Sequence, residues 1–176
     1  MPSRYRVAAG YATGLVALVL ARPTLRTILL GFALALLGEA LRLWASGHLE
    51  KTRRLATGGP YAHTRNPLYL GSLLMALGMA IAAASPWVVL AVASYFLAFY
   101  PTLMNEEARF LRERFGAEYD RWAAEVPPFW PRPGAGGSRA SRFARSRVRG
   151  NREWWTAAVL PLVALLFWAR RFCPWP

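Results

Sequence analysis

The feature that most limits what this chain can become is a series of long apolar windows, almost free of charge, at about 7–21, 24–48, 68–84, 87–104 and 154–170. A bilayer's hydrocarbon core is ~30 Å thick and asks for roughly 20 apolar residues per spanning helix. Inside lipid every backbone N–H and C=O must find its partner within the protein, so windows of this kind are read as helices. A hydrophobic share of 55% lies above the ~45–50% of soluble domains, which agrees with that reading. The expected fold is therefore all-α, a polytopic transmembrane helix bundle of about five spans plus an interfacial amphipathic helix.

The first window reaches only ~22 Å as a helix and is the weakest span. Ala21-Arg22-Pro23 makes a poor signal-peptide cleavage site, so the window is kept as a helix of the mature protein. Pro23 marks the start of the second window and Gly47 stands near its end. Only Ser85-Pro86 separates the third and fourth windows, which predicts a tight antiparallel hairpin. Gly71, Ser72, Gly78, Ala82 and Ala83 offer small surfaces for close helix contact in lipid. Beyond Met104, residues Ala108, Leu111, Phe115, Tyr119 and Trp122 recur at helical spacing among charged neighbours, which predicts an interfacial helix over 105–125. Pro127-Pro128 stops it. Residues 1–131 thus form one membrane domain, 132–153 a basic flexible linker, and 154–170 a last span flanked by Trp. No internal repeat is visible.

A net charge of +13 is the usual electrostatic footprint of a nucleic-acid binder. Here the arginines gather beside apolar segments, where retention of cations on the cytoplasmic side accounts for them, so nucleic acid is not expected as a partner. With the N-terminus inside, the cytoplasmic segments hold 2, 4 and 11 Lys or Arg against four outside, Arg22, Arg26, Arg170 and Arg171. The expected location is the inner or cytoplasmic membrane, N-terminus in and C-terminus out. The one cysteine, Cys173, cannot form an internal disulfide.

Thr57 to Gly71 is turn-rich, aromatic and basic, and it leads straight into the third helix. Free N–H groups at a helix start favour anions, so this is either an anion site or an ordinary loop whose Pro67 starts the helix and whose Arg65 meets headgroups. Asn105-Glu106-Glu107 leaves the fourth helix on the same side. A cofactor carrying both a cation and an anion would find acceptors in Glu106 and Glu107 and donors in His63, Arg65 and Asn66. The alternative is two carboxylates that merely sit against a helix dipole. Glu39 and Arg42, at i, i+3 inside the second helix, are either an internal ion pair or part of a substrate pocket. No HExxH, Cys/His cluster or GxGxxG occurs, and two histidines are too few for a zinc centre, so no metal site is expected.

Gly59-Pro60-Tyr61, Arg65-Asn66-Pro67-Leu68-Tyr69-Leu70-Gly71, and Asn105-Glu106-Glu107 followed by Leu111, Phe115-Gly116, Tyr119 and Val126-Pro127 together resemble the integral membrane methyltransferases. That family includes isoprenylcysteine carboxyl methyltransferases and phospholipid N-methyltransferases, and the resemblance covers about Leu25 to Pro131. It implies S-adenosylmethionine as cofactor and a lipid-like or amphiphilic acceptor. It also implies Tyr61, Arg65, Asn66, Pro67, Tyr69, Glu106 and Glu107 as cofactor residues. Asn66 stands where many members have His, and an amide cannot become cationic.

Methyl transfer from a sulfonium mainly requires positioning and exclusion of water. Arg65 and Glu107 are the catalytic candidates, Glu107 as the base if one is needed. The lack of an obvious base leans toward a carboxylate or thiolate acceptor rather than an amine. Two rival readings follow from the same residues. One is a membrane reductase using NADPH through Arg109, Arg112 and Arg114; the other is a scaffold that has kept the fold without the chemistry.

Overall fold

The computed structural model describes residues 3–50, 54–133, 142–151 and 153–172; Cys173 lies outside them. Among the described residues there is no strand, and the chain is all-α as expected. The elements are α1 (Ser3–Leu20), α2 (Leu25–His48), a 3₁₀ turn (Gly59–Ala62), α3 (Pro67–Ala83), α4 (Pro86–Phe115), α5 (Ala117–Glu125), α6 (Arg145–Gly150) and α7 (Trp154–Arg170).

Two of the five expected spans, α2 with 24 residues and α4 with 30, are long and apolar enough to cross a membrane. α3 and α7 are apolar but have 17 residues each, ~26 Å at 1.5 Å per residue. The separate interfacial helix expected over 105–125 does not exist as one element. α4 runs on through Pro101 and Asn105 to Phe115, and the break falls at Gly116, whose φ of 52° favours glycine because it has no Cβ to clash. α5 then carries the rest.

The chain forms two compact units. One comprises Met1–Leu37, Leu73–Thr102 and Ala158–Pro176. Its core gathers Ala17, Ala21 and Ile28 with Ala80, Ala82, Ala83, Val88, Val92 and Phe167. Alanine and glycine dominate because the backbones of α2 and α3 almost touch. A Cβ on Gly31 would strike the Gly78 carbonyl and one on Gly78 would strike that of Gly31, while Thr27 Oγ1 donates to the Ala82 carbonyl at 3.4 Å. The pairing of 27 with 82 and of 31 with 78 makes the two helices antiparallel here, as small residues allow in lipid. Large apolar side chains point outward from this unit, among them Leu97 at 76% exposure and Trp87 at 65%.

The other unit comprises Gly38–Ser72 and Leu103–Ala157. Its core is aromatic: Tyr61, Tyr119 and Trp122 with Ala45, Leu55 and Val126, flanked by Leu68, Ala108, Leu111 and Phe115. The helically spaced stripe from Ala108 to Trp122 thus faces a core. The stretch expected to be a flexible linker behaves differently where it is described. Ala144 N–H donates to the Gly47 carbonyl at 3.0 Å, and Asn151 Nδ2 donates to those of Ser46 and Leu49 at 3.1 and 3.2 Å. Carbonyls at the end of α2 lack intrahelical donors, and this segment supplies them. Arg147 adds an ion pair with Glu50, and Phe143 occupies the space that the missing side chain of Gly47 leaves.

Candidate functional site

A loop that must present polar groups needs its own backbone held, and residues 127–132 hold this one. Arg65 N–H donates to Pro127 O at 2.9 Å, Asn66 Nδ2 to Pro128 O at 2.8 Å, Thr64 Oγ1 to Phe129 O at 2.7 Å, and Arg132 N–H to His63 O at 3.0 Å. The 3₁₀ turn before it rests on Gly59 at φ 59°, where a Cβ would also stand 2.7 Å from the His48 ring. Trp122 Nε1 donates to the Tyr61 carbonyl at 3.2 Å, tying α5 to the turn.

Against this loop lies a cavity of about 440 Å³, within the ~300–1,000 Å³ of small-molecule sites. Tyr61, Arg65, Asn66, Pro67 and Tyr69 line one side. Glu107, Phe110, Leu111 and Phe115 line another, spaced to share one face of α4. Six of the expected site residues are thereby brought together: Tyr61, Arg65, Asn66, Pro67, Tyr69 and Glu107. Glu106 is exposed on α4 away from the lining, and His63 turns its ring toward the Arg132 carbonyl at 3.4 Å. Glu50, Arg54 and Trp122 also line the cavity. The sequence singled out neither of the first two, Arg54 entering only in the count of cations in a connecting loop; Trp122 was visible as part of the apolar stripe, but not as a wall.

Arg65 is half-buried. Its Nε is buried without a hydrogen-bond partner, and its Nη1 lies 3.5 Å from the Tyr119 hydroxyl. A buried unpaired donor on a cation is costly, and an anion in the cavity would satisfy it. Asn66 spends its amide hydrogen on Pro128 O, a role in holding the loop that needs no cationic ring. Tyr61 is 7% exposed. Its phenol is held far above the usual tyrosine range, first by burial and then by the charges of Glu107 and Glu153, so it stays neutral.

Glu39 and Arg42 do not line the cavity. Arg42 Nη2 pairs with Glu153 Oε2 at 2.7 Å, Nη1 reaches Ser72 Oγ and the Leu68 carbonyl, and Nε stands 4.0 Å from Glu39 Oε2. Both Glu39 oxygens are buried with no hydrogen-bond partner. Glu153, 111 positions along the chain from Arg42, is the member of this cluster that sequence spacing did not suggest. Among the described residues no group of three His, Cys, Asp or Glu is placed to hold a metal ion.

The cavity suits S-adenosylmethionine. That molecule has a carboxylate for the unpaired Arg65 donor, and an ammonium and hydroxyls for Glu107 and Glu50. It also has an adenine and a sulfonium for the faces of Tyr69, Phe110, Phe115 and Trp122.

Comparison with known proteins finds relatives that each match part of the chain. Over 113 residues the chain is 37% identical to the cobalt-zinc-cadmium resistance protein CzcN of Cupriavidus metallidurans, covering 62% of this chain and 50% of that one. It is 31% identical over 106 residues to the nickel-cobalt-cadmium resistance protein NccN of Alcaligenes xylosoxydans xylosoxydans (59% and 48%). It is 32% identical over 109 residues to protein-S-isoprenylcysteine O-methyltransferase B of Arabidopsis thaliana (55% of each). The chain spans about half the length of the curated relatives it matches. No solved structure matches. Residues 9–118, more than half of the chain and including α2, α3, α4 and the loop that bears Arg65, match the phospholipid methyltransferase model, and the chain belongs to that family.

Proposed function

We propose that this protein is a membrane methyltransferase that uses S-adenosylmethionine and acts on a lipid-like or amphiphilic acceptor, in the manner of an isoprenylcysteine carboxyl methyltransferase. The observation that carries the reading is the cavity in which Arg65, with its unpartnered Nε, and Glu107 converge among aromatic side chains inside the family segment. When bound, the cofactor supplies a methyl group on a sulfonium that departs as a neutral thioether.

The chain's own part is positioning. Arg65 takes the cofactor carboxylate, Tyr61, Asn66, Pro67 and Tyr69 shape the wall, and Glu107 takes its cation. His63 and Glu106 lie outside this lining. The apolar lining from Leu49, Leu55, Phe110 and Leu111 keeps water away from the reacting carbon. A carboxylate acceptor arrives ionised; an amine acceptor, as in a phospholipid N-methyltransferase, would give its proton to a Glu107 oxygen. Glu39 and Arg42, expected as substrate residues, lie outside this cavity and form with Glu153 a buried ion cluster, which we assign to holding α2 rather than to the acceptor.

The exposed leucines of α2, α4 and α7 support a membrane setting, since patches of this kind on a soluble monomer are rare. We read α1, α2, α3, α4 and α7 as spans, with the short α3 and α7 near the lower limit of length, and the inner membrane as the location.

Equilibrium binding of S-adenosylmethionine to detergent-purified protein tests the reading. Wild type is expected to bind between about 1 μM and 1 mM. Arg65→Ala and Glu107→Ala should each weaken binding by roughly tenfold or more, as loss of a charge-assisted hydrogen bond implies. A folded wild type that binds none sinks the proposal, and transfer to amines but not to a prenylcysteine carboxylate would replace the preferred acceptor.

The names of two relatives favour a second reading of the biological role, in which the same chemistry serves resistance to cobalt, zinc, cadmium or nickel. Deleting the gene and scoring growth on those ions decides it; unchanged tolerance removes the reading.

A further inference from the structure

All nine acidic residues of the chain fall in the unit built from Gly38–Ser72 and Leu103–Ala157. The unit built from Met1–Leu37, Leu73–Thr102 and Ala158–Pro176 has six arginines, at 4, 6, 22, 26, 170 and 171, and no acidic side chain. Three of the six, Arg22, Arg170 and Arg171, line one cavity of about 800 Å³ inside that unit. Helix ends form the rest of its wall: the end of α1, the Ala84-Ser85 connection, and Pro86 and Trp87 at the start of α4.

The arginines are held there by their surroundings. Arg22 N–H donates to the Ala83 carbonyl at 2.8 Å, which fixes its backbone at the rim, and its side chain is exposed with no ion pair among the described residues. The Arg171 guanidinium lies 4.9 Å over the Trp168 ring, a contact that leaves its N–H edge able to donate. Arg170 gives Nε and Nη2 to the carbonyls of Leu18 and Val19 at 3.4 Å, so part of its hydrogen-bonding capacity is already used. Three guanidinium groups around one space repel each other, and the unit has no acidic side chain to offset them. The start of a 30-residue helix at the same cavity adds a further positive end. Around it the surface is apolar, with Val19, Leu20 and Trp87 all exposed.

We propose that this cavity binds a phosphate-bearing anion through Arg22 and Arg171, and that the source is the headgroup of an anionic phospholipid whose acyl chains lie on the neighbouring apolar side chains. Guanidinium groups match phosphate oxygens bidentately, and the apolar rim gives a lipid an advantage that a soluble phosphate lacks. The proposal is independent of the methyltransferase reading.

Native mass spectrometry of the full chain, equilibrated in detergent with phosphatidylglycerol and phosphatidylcholine together, reads lipid retention directly. Phosphatidylglycerol should be retained about tenfold over phosphatidylcholine, and the ratio should fall close to one in Arg22→Gln/Arg171→Gln. Arg4→Gln/Arg26→Gln, which removes two arginines of the same unit outside the cavity, should keep the preference. Equal retention of both lipids by wild type, or equal loss in the two double variants, overturns the site. Displacement of phosphatidylglycerol by millimolar inorganic phosphate would keep the anion site but overturn lipid as its source. Because the first comparison uses wild type alone, it decides even if a variant fails to fold.

Discussion

Gly59 and Glu153 show how much single residues carry near the cavity. At Gly59 a Cβ meets both a left-handed backbone and the His48 ring at 2.7 Å. Gly59→Ala should therefore lower stability by about 1–2 kcal/mol for the backbone alone, with more for the ring. Pairing it with His48→Ala should return the steric part but not the backbone part, and denaturation in detergent measures both. Glu153→Ala leaves the half-buried Arg42 without its 2.7 Å partner, and should cost about 2–3 kcal/mol. Tyr61 contributes a pH dependence of definite sign. Its acid form is favoured in the folded state, so its contribution is complete below the unfolded tyrosine pKa of ~10 and is lost as pH rises beyond it. Melting curves taken across that range should fall more steeply for wild type than for Tyr61→Phe. At this scale Arg65 and Glu107 were legible from residue type and position, and Tyr61 from the family resemblance. Glu153 was not, because nothing in a separation of 111 positions announces an ion pair.

Among the elements, the antiparallel contact of α2 with α3 depends on two glycines facing one another. Gly78→Leu puts a side chain where the Gly31 carbonyl stands, and should cost about 3 kcal/mol or prevent assembly, which size-exclusion profiles and thermal melts both report. The helix boundary at Phe115 was misplaced from sequence for an instructive reason. Hydropathy falls sharply after Met104, yet a helix continues wherever its backbone bonds continue, and charged side chains on its outer face do not interrupt it. The actual stop is conformational, at Gly116. α6 was missed because a basic, Gly- and Ser-rich stretch has little apolar periodicity. Its order comes from capping α2, so Asn151→Ala should cost about 1 kcal/mol and loosen the end of α2 in hydrogen exchange.

For the whole molecule the segregation of charge is the dominant pattern: every acidic side chain in one unit, and six arginines without one in the other. Under the topology proposed above, reporter fusions before residue 3 and within the 134–141 stretch should read cytoplasmic, and a fusion after the last residue should read external. A C-terminal fusion that reads cytoplasmic would remove one of the five spans. The family match ends at residue 118, so the role of α7 rests on Phe167 in the core of its unit, on the burial of Leu160, and on Arg170 and Arg171 at its end.

The order of residues by itself determined that the chain is helical, where its apolar segments lie to within a few residues, which family it joins and most of the groups at its candidate site. These follow from local period, from composition and from short motifs, all of which are properties of neighbours in sequence. Tertiary structure alone decided that Glu106 and His63 stand outside the cavity while Glu50, Arg54 and Trp122 line it, that Glu153 completes the Arg42 cluster, and that Arg22 shares one space with Arg170 and Arg171. Those are contacts between residues far apart in the chain, and a close approach is fixed only when the helices that carry them have packed.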